Sequence, residues 1–145
     1  MEIEAAAATD ADAVAAVFRA ARDAAMPWLP VLHGEAEDRR FFAGVIAGCE
    51  VLVVRREGHV VAFVALGDEL VEHLYVRPDA QRAGIGSALL EAAKGRRPHG
   101  LRLWTFERNQ GARAFYARHG FTEVRFTDGS GNEERQPDVL LAWAP

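Results

Sequence analysis

The segment Gln81-Arg82-Ala83-Gly84-Ile85-Gly86 constrains this chain more than any other. It lies between an apolar run (Leu70, Val71, Leu74, Val76) and a helical pattern that begins at Ser87. The order is strand, glycine-bearing turn, helix N-terminus. The first amides of a helix have no intrahelical acceptor, and the aligned peptide dipoles add partial positive charge there. A turn of this kind is a seat for a phosphate or a diphosphate.

The flanking patterns frame that turn. Glu2 to Ala6 reads as a short first strand. Thr9 or Asp10 caps an Ala-rich helix reaching about Ala25, with Val14, Val17, Phe18 and Ala21 on one face. Met26-Pro27-Trp28-Leu29-Pro30 breaks it, because proline disfavours a helical residue before it. Glu35 to Ile46 reads as a second helix stopped by Gly48. The β-branched runs Val51–Arg56 and Val60–Leu66 form a hairpin, and Leu70–Val76 adds a third strand. Ser87–Gly95 and Gln110–Arg118 are helices, and Leu101–Phe106 is the strand between them. Phe121–Phe126 and Val139–Trp143 are final strands on either side of a polar loop, Thr127 to Asp138. Loops of that length in a compact domain are often functional.

A chain of 145 residues, half of them hydrophobic, suits one domain over residues 1–145. Cys49 is the only cysteine, so no internal disulfide forms. No apolar run is long enough for a bilayer, and Met1 to Ala8 lacks the basic start and apolar core of a signal peptide. A cytoplasmic protein without a membrane partner is therefore expected. The net charge of −4 argues against a nucleic-acid partner. The charge is uneven: Arg77 to Arg118 holds nine Lys or Arg and three Asp or Glu, a net of +6 against −10 elsewhere. That field favours an anionic cofactor at the turn and a cationic partner on the remainder.

Two phosphate-binding loops are excluded. No Gly-Lys-Ser or Gly-Lys-Thr follows the glycines, as a nucleotide triphosphatase would require. A dinucleotide fold needs a third glycine and a βαβ unit, whereas here Ala88 or Leu89 stands in that place after a meander. Gln-x-x-Gly-x-Gly after a strand ending in Val-x-Pro instead resembles the acetyl-CoA loop of the GNAT superfamily of N-acetyltransferases. Asn109, then Ala114-Phe115-Tyr116 and Gly120-Phe121, resembles that superfamily's second motif, one strand further on.

The resemblance implies an α/β (α+β) fold with about four helices. Its sheet of about seven strands is mixed, mostly antiparallel, and splayed open after the strand holding Glu72 to Val76. It implies acetyl-CoA as donor, its pantetheine arm along Leu74, Tyr75 and Val76. The diphosphate would sit on the amides of Arg82, Ala83, Gly84, Ile85, Gly86 and Ser87, beside Gln81. Asn109 matches a residue that bonds the pantetheine arm and is also a good N-cap. A bulge in similar folds frees the Val76 N–H for the oxyanion. Tyr116 matches the general acid that points at the sulfur.

Acetyl transfer to an amine needs a base, a polarised carbonyl and a protonated leaving thiolate. Strand alternation sets Glu72 on the face of Leu74 and Val76, as a base or an attractor of the amine. His73 faces the other way. Similar enzymes transfer directly, so Cys49 need not be a nucleophile. Trp28, His33 and Glu133 come from the two loops expected to close an acceptor pocket, where aromatics and carboxylates suit a cationic amine. No His or Cys cluster has metal spacing, so no metal is expected. The expected acceptor is a primary amine of a small molecule. A protein N-terminus or lysine is the alternative within the enzyme class, and a non-catalytic acyl-CoA-binding module the alternative outside it. The chain is expected to be a monomer or a homodimer.

Overall fold

Alternating β-branched residues build the centre of the sheet. In the computed structural model, which describes residues 1–145, strands β1 (Ile3–Ala5), β2 (Glu50–Arg56), β3 (His59–Leu66) and β4 (Val71–Val76) form one antiparallel sheet in that order. Leu52, Val54, Val61, Val64 and Leu66 face one side of it, and Val51, Val53, Val60, Phe63 and Ala65 the other. Both faces are covered, which is why β2 and β3 read as continuous apolar runs.

Helices α1 (Ala11–Ala25) and α2 (Glu35–Gly48) cover the second face through Val14, Val17 and Phe42. Asp10 fixes the start of α1. Its carboxylate accepts from Arg55 at 3.0 and 2.8 Å and from the Ala7 amide at 2.8 Å, while Arg55 also donates to Glu4 at 2.5 Å. The first face packs on helix α3 (Ile85–Arg96) through Ile85, Leu89, Leu90 and Ala93.

The second sheet holds β5 (Leu101–Phe106), β6 (Thr122–Thr127) and β7 (Asp138–Trp143), with β7 in the middle and every pairing antiparallel. Helix α4 (Gln110–Arg118) lies between β5 and β6 in the chain. The two sheets meet only at the foot of β4 and β5. There Leu70 bridges Arg102 in parallel, and the Arg102 amide donates to Glu69 O at 2.8 Å. Above that point the strands part. This is the mixed, splayed seven-stranded arrangement with four helices that the resemblance implies. Most element boundaries differ from the sequence reading by one or two residues; at the site, β4 begins at Val71, and α3 begins at Ile85 because Gly84 takes up the left-handed turn as its N-cap, φ +77°. No helix is long and apolar enough to cross a membrane.

Candidate functional site

The splay exposes the edge of β4, and the phase of its ladder decides what that edge offers. Arg77 N–H donates to Val61 O at 2.8 Å, in the register that pairs Ala62 with Val76 and Phe63 with Tyr75. Opposed residues of an antiparallel pair alternate between exchanging both backbone bonds and exchanging none. Phe63–Tyr75 is of the first kind; Val64–Leu74 and Ala62–Val76 are of the second. The N–H and C=O of Leu74 and Val76 therefore point into the splay. The Gln81 side-chain amide donates to Val76 O at 3.1 Å.

The bulge expected at Val76 is elsewhere. The β3–β4 register shifts between Ala65 and Leu66, which pair with His73 and Val71 and leave Glu72 as the extra residue. Val76 N–H is freed by ordinary alternation at a sheet edge, with no need of a bulge. The same shift interrupts the alternation used to place Glu72 with Leu74 and Val76. Its Oε1 stands 2.8 Å from where a Cβ on Gly67 would lie, and its charge adds to burial in raising the Cys49 thiol pKa.

The turn after β4 forms a row of unspent donors. None of the amides from Arg82 to Ser87 has a backbone acceptor, and no side chain caps α3. Arg82 and Gly84 both have left-handed φ, +67° and +77°, and such alternation turns successive N–H groups to one side. The need for positive φ at Gly84 was legible; that at Arg82 was not. The turn opens on a cleft of about 640 Å³. Of the residues expected to hold the cofactor, all but Ala83 line it; the Ala83 side chain is exposed and only its amide belongs to the row. A Cβ on Gly86 would enter between Phe115 and Val76, at 3.5 and 3.6 Å. Unpaired amides, a helix N-terminus, and Arg82 and Arg118 in the lining fit a diphosphate group.

Tyr116 closes the inner end. It is buried, packs edge-on against Phe121 and Phe115, and lines both this cleft and an inner cavity of about 230 Å³. Burial first, and the neighbouring Tyr75 second, hold its phenol pKa above the ordinary value, so it keeps its proton at neutral pH. Phe115 also lines the cleft, and Tyr116 belongs to the core as well as to the site. Asn109 Oδ1 accepts from the Ala112 amide at 3.2 Å as N-cap of α4, while its residue lines both spaces.

An outer cavity of about 700 Å³ adjoins these at Met26 and Tyr75. His33 and Glu133 stand in its wall as the loops predicted. His33 Nδ1 lies 2.8 Å from Glu37 and Nε2 lies 2.6 Å from Glu133, tying the α1–α2 connection to the β6–β7 loop. Glu134, Asp38, Phe41 and Phe106 share the lining. Trp28 does not. Leu29 takes the inward position of that turn, and Trp28 packs edge-on to Phe106 from behind, with Arg108 4.8 Å above its ring.

Three further residues stand in the wall of the outer cavity: Tyr75, expected only along the pantetheine arm, His73, expected to face away, and Arg22, which the sequence reading missed. Tyr75 presents its ring, whose phenol pKa burial pushes up to about 12. His73 is packed by Phe18, Phe41 and Phe42, and burial lowers its pKa to about 4, so it stays neutral. Arg22 is buried and donates to Pro30 O. Its signal was its place one turn after Phe18, a charge on the apolar stripe of α1.

Residues 47–123 match the family model described as the Acetyltransferase (GNAT) domain, more than half of the chain. Over 100 residues the chain is 32% identical to the peptidyl-lysine N-acetyltransferase YiaC of Escherichia coli (strain K12), covering 68% of this chain and 66% of that protein. It is 37% identical over 82 residues to the mycothiol acetyltransferase of Parafrankia sp. (strain EAN1pec), covering 54% of this chain but 26% of that one. The chain thus spans just under two thirds of one curated relative and about a quarter of the other. In structure it is similar to the GCN5-related N-acetyltransferase from Rhodopseudomonas palustris, with TM-score 0.83, 23% identity, and 99% and 95% of the two chains covered. With both motifs seated on the splay, and with that family model over its central half, the chain belongs to the GNAT family of acetyltransferases.

Proposed function

We propose that the whole chain works as one N-acetyltransferase domain that moves acetyl from acetyl-CoA directly to the primary amine of a small cationic molecule. The observation that carries this reading is the continuity of the site. A row of free amides, the splay-facing main chain of Leu74 and Val76, and the Tyr116 phenol follow one another along a single cleft, which meets at Met26 and Tyr75 a cavity lined by four carboxylates, Glu37, Asp38, Glu133 and Glu134, against the two guanidinium groups of Arg22 and Arg40.

When bound, acetyl-CoA would supply an acetyl group activated as a thioester. The amides of Arg82 to Ser87 hold its diphosphate, and the backbone of Leu74 and Val76 pairs with its arm as an added strand would. Val76 N–H donates to the reacting carbonyl oxygen as it gains charge. Tyr116 Oη keeps its proton until the sulfur becomes anionic, then donates it. Glu72 lines the inner cavity and accepts a proton from the incoming ammonium.

The His33–Glu133 contact across the rim favours a small acceptor over a folded protein surface. The relative named as a peptidyl-lysine acetyltransferase favours a second reading, in which a lysine side chain enters the same slot. A thiol-release assay over a panel of amines, with a lysine-containing peptide as a separate arm, tests both. Turnover with small amines and none with peptide supports the first reading; the reverse supports the second. Cofactor binding with no turnover on any acceptor would leave a binding module.

A further inference from the structure

At the phosphate-facing end of the cleft, three side chains form a relay that the reaction itself does not require. Ser87 Oγ lies 3.0 Å from His119 Nε2, and His119 Nδ1 lies 3.4 Å from Glu91 Oε2. Ser87 is in the first turn of α3 and lines the cleft. His119 ends α4, its ring tilted at 49° against Phe115 with centroids 4.8 Å apart. Lys94 Nζ clamps the group, 3.2 Å from Glu91 and 2.6 Å from His119 O, with its ammonium over the Trp143 ring of β7. Glu91 and Lys94 from α3 and the adjacent Arg118 are the charged groups around the imidazole, and the Phe115 ring packs against it.

The Glu91 carboxylate, 3.4 Å from Nδ1, only accepts, so its charge favours the tautomer that carries the proton on Nδ1. In the neutral ring Nε2 is then a bare acceptor and must take the Ser87 hydroxyl proton. The serine then shows the cleft only lone pairs, which repel a phosphate oxygen. A second proton on Nε2 reverses this. The ring now donates to Ser87 Oγ, and the hydroxyl proton is released toward the cleft as a donor to an anion.

We propose that His119 is a positioning residue that couples proton uptake to diphosphate binding by setting which way the Ser87 hydroxyl points. The inference rests on coenzyme A occupying the cleft. It goes beyond that reading in assigning the site a proton-linked affinity.

The test uses 3′-dephospho-coenzyme A, which keeps the diphosphate but lacks the phosphate monoester, whose own second ionisation near pH 6 would obscure the result. Calorimetric titration from about pH 5.5 to about pH 8.5 spans the range in which imidazoles titrate. The affinity of the unmodified protein is expected to fall about tenfold across it, the scale of one hydrogen bond to a charged group. Titrations in buffers of different ionisation enthalpy should show net proton uptake that is greatest where the affinity falls most steeply with pH. Ser87→Ala and His119→Gln should each remove the pH slope and the proton uptake. A His119→Gln protein that folds poorly leaves Ser87→Ala as the decisive variant. A neutral amide that still donates to Ser87 should hold affinity near the acidic-side value in His119→Gln, a rescue that a packing role for the ring would not give. A slope or proton uptake surviving in Ser87→Ala overturns the relay, as does binding by the unmodified protein with no proton uptake. Absence of binding at every pH would overturn the coenzyme A reading and the relay with it.

Discussion

His33 Nε2 and Glu133 Oε1 lie 2.6 Å apart across a hundred residues of chain, and Glu37 holds the other ring nitrogen at 2.8 Å. Glu37 first and Glu133 second favour the charged imidazole and raise its pKa above 6.5. For a pKa raised in the folded state, the contact is at full strength below 6.5 and is lost as pH rises through the higher folded value. All three groups are exposed, so the effect falls on the loop and not on global stability. Protection of the 128–137 amides from hydrogen exchange is expected to drop as pH rises through that folded value. His33→Gln should show the low protection at every pH. A protection factor independent of pH in the unmodified protein would remove the contact from the account of the rim.

Tyr116→Phe deletes one oxygen and leaves the ring in its packing against Phe121 and Phe115. If the cofactor pairs with the main chain of β4 and the turn as proposed, its affinity should change less than threefold or so, about the energy of a weak contact. Turnover should fall about 10²- to 10⁴-fold, the range for loss of a positioned acid. Steady-state kinetics with varied acetyl-CoA separates the two. Equal losses in turnover and affinity would make Tyr116 a binding residue and not the acid.

The places where sequence reading succeeded share a physical feature, as do those where it failed. Gly84 and the amide row were legible because a strand, a glycine turn and a helix start in sequence order leave little conformational choice. The β2–β3 runs were legible because both faces of those strands are covered. The bulge at Glu72 was not legible, because a bulge is a property of two strands in register and nothing in Leu70–Val76 alone marks the extra residue, although Glu72 still lines the inner cavity with Leu74. Trp28 misled because a turn decides which of two adjacent apolar residues faces inward, and Leu29 won. The Ser87–His119–Glu91 group was invisible because it joins α3 to the end of α4, and such meetings depend on packing.

Asp10 is the buried carboxylate on which the start of α1 depends. Arg55 first, with the Ala7 amide helping, holds its pKa below 3.8 against the opposing effect of burial. For a depressed folded pKa the stabilisation is present above 3.8 and is lost as pH falls through the lower folded value. Asp10→Asn keeps the shape and loses the charge. It should cost about 1–3 kcal/mol at neutral pH, because Arg55 loses a bidentate partner. Denaturant melts should also show a shallower loss of stability for the variant below about pH 4 than for the unmodified protein. Parallel acid limbs would mean that other carboxylates carry the acid sensitivity.

The two cleft glycines should respond to alanine with opposite signs in stability and the same sign in function. Gly84 sits at φ +77° with open space where its Cβ would stand, so Gly84→Ala costs only backbone strain, about 1–2 kcal/mol. Gly86 lies inside α3 with no such strain, and its Cβ would meet Phe115 and Val76 at ordinary contact distance. Gly86→Ala should therefore hold or raise the melting temperature, since alanine is the better helix former by up to about 1 kcal/mol. That methyl would nonetheless occupy the gap between two residues that line the cleft, and Gly86→Val would fill it. The Michaelis constant for acetyl-CoA should rise about tenfold in Gly84→Ala, where amides turn away from the ligand, and rise stepwise from Gly86→Ala to Gly86→Val. A stable Gly86→Val protein with an unchanged constant would place the cofactor away from this helix start and would withdraw the amide row as its seat.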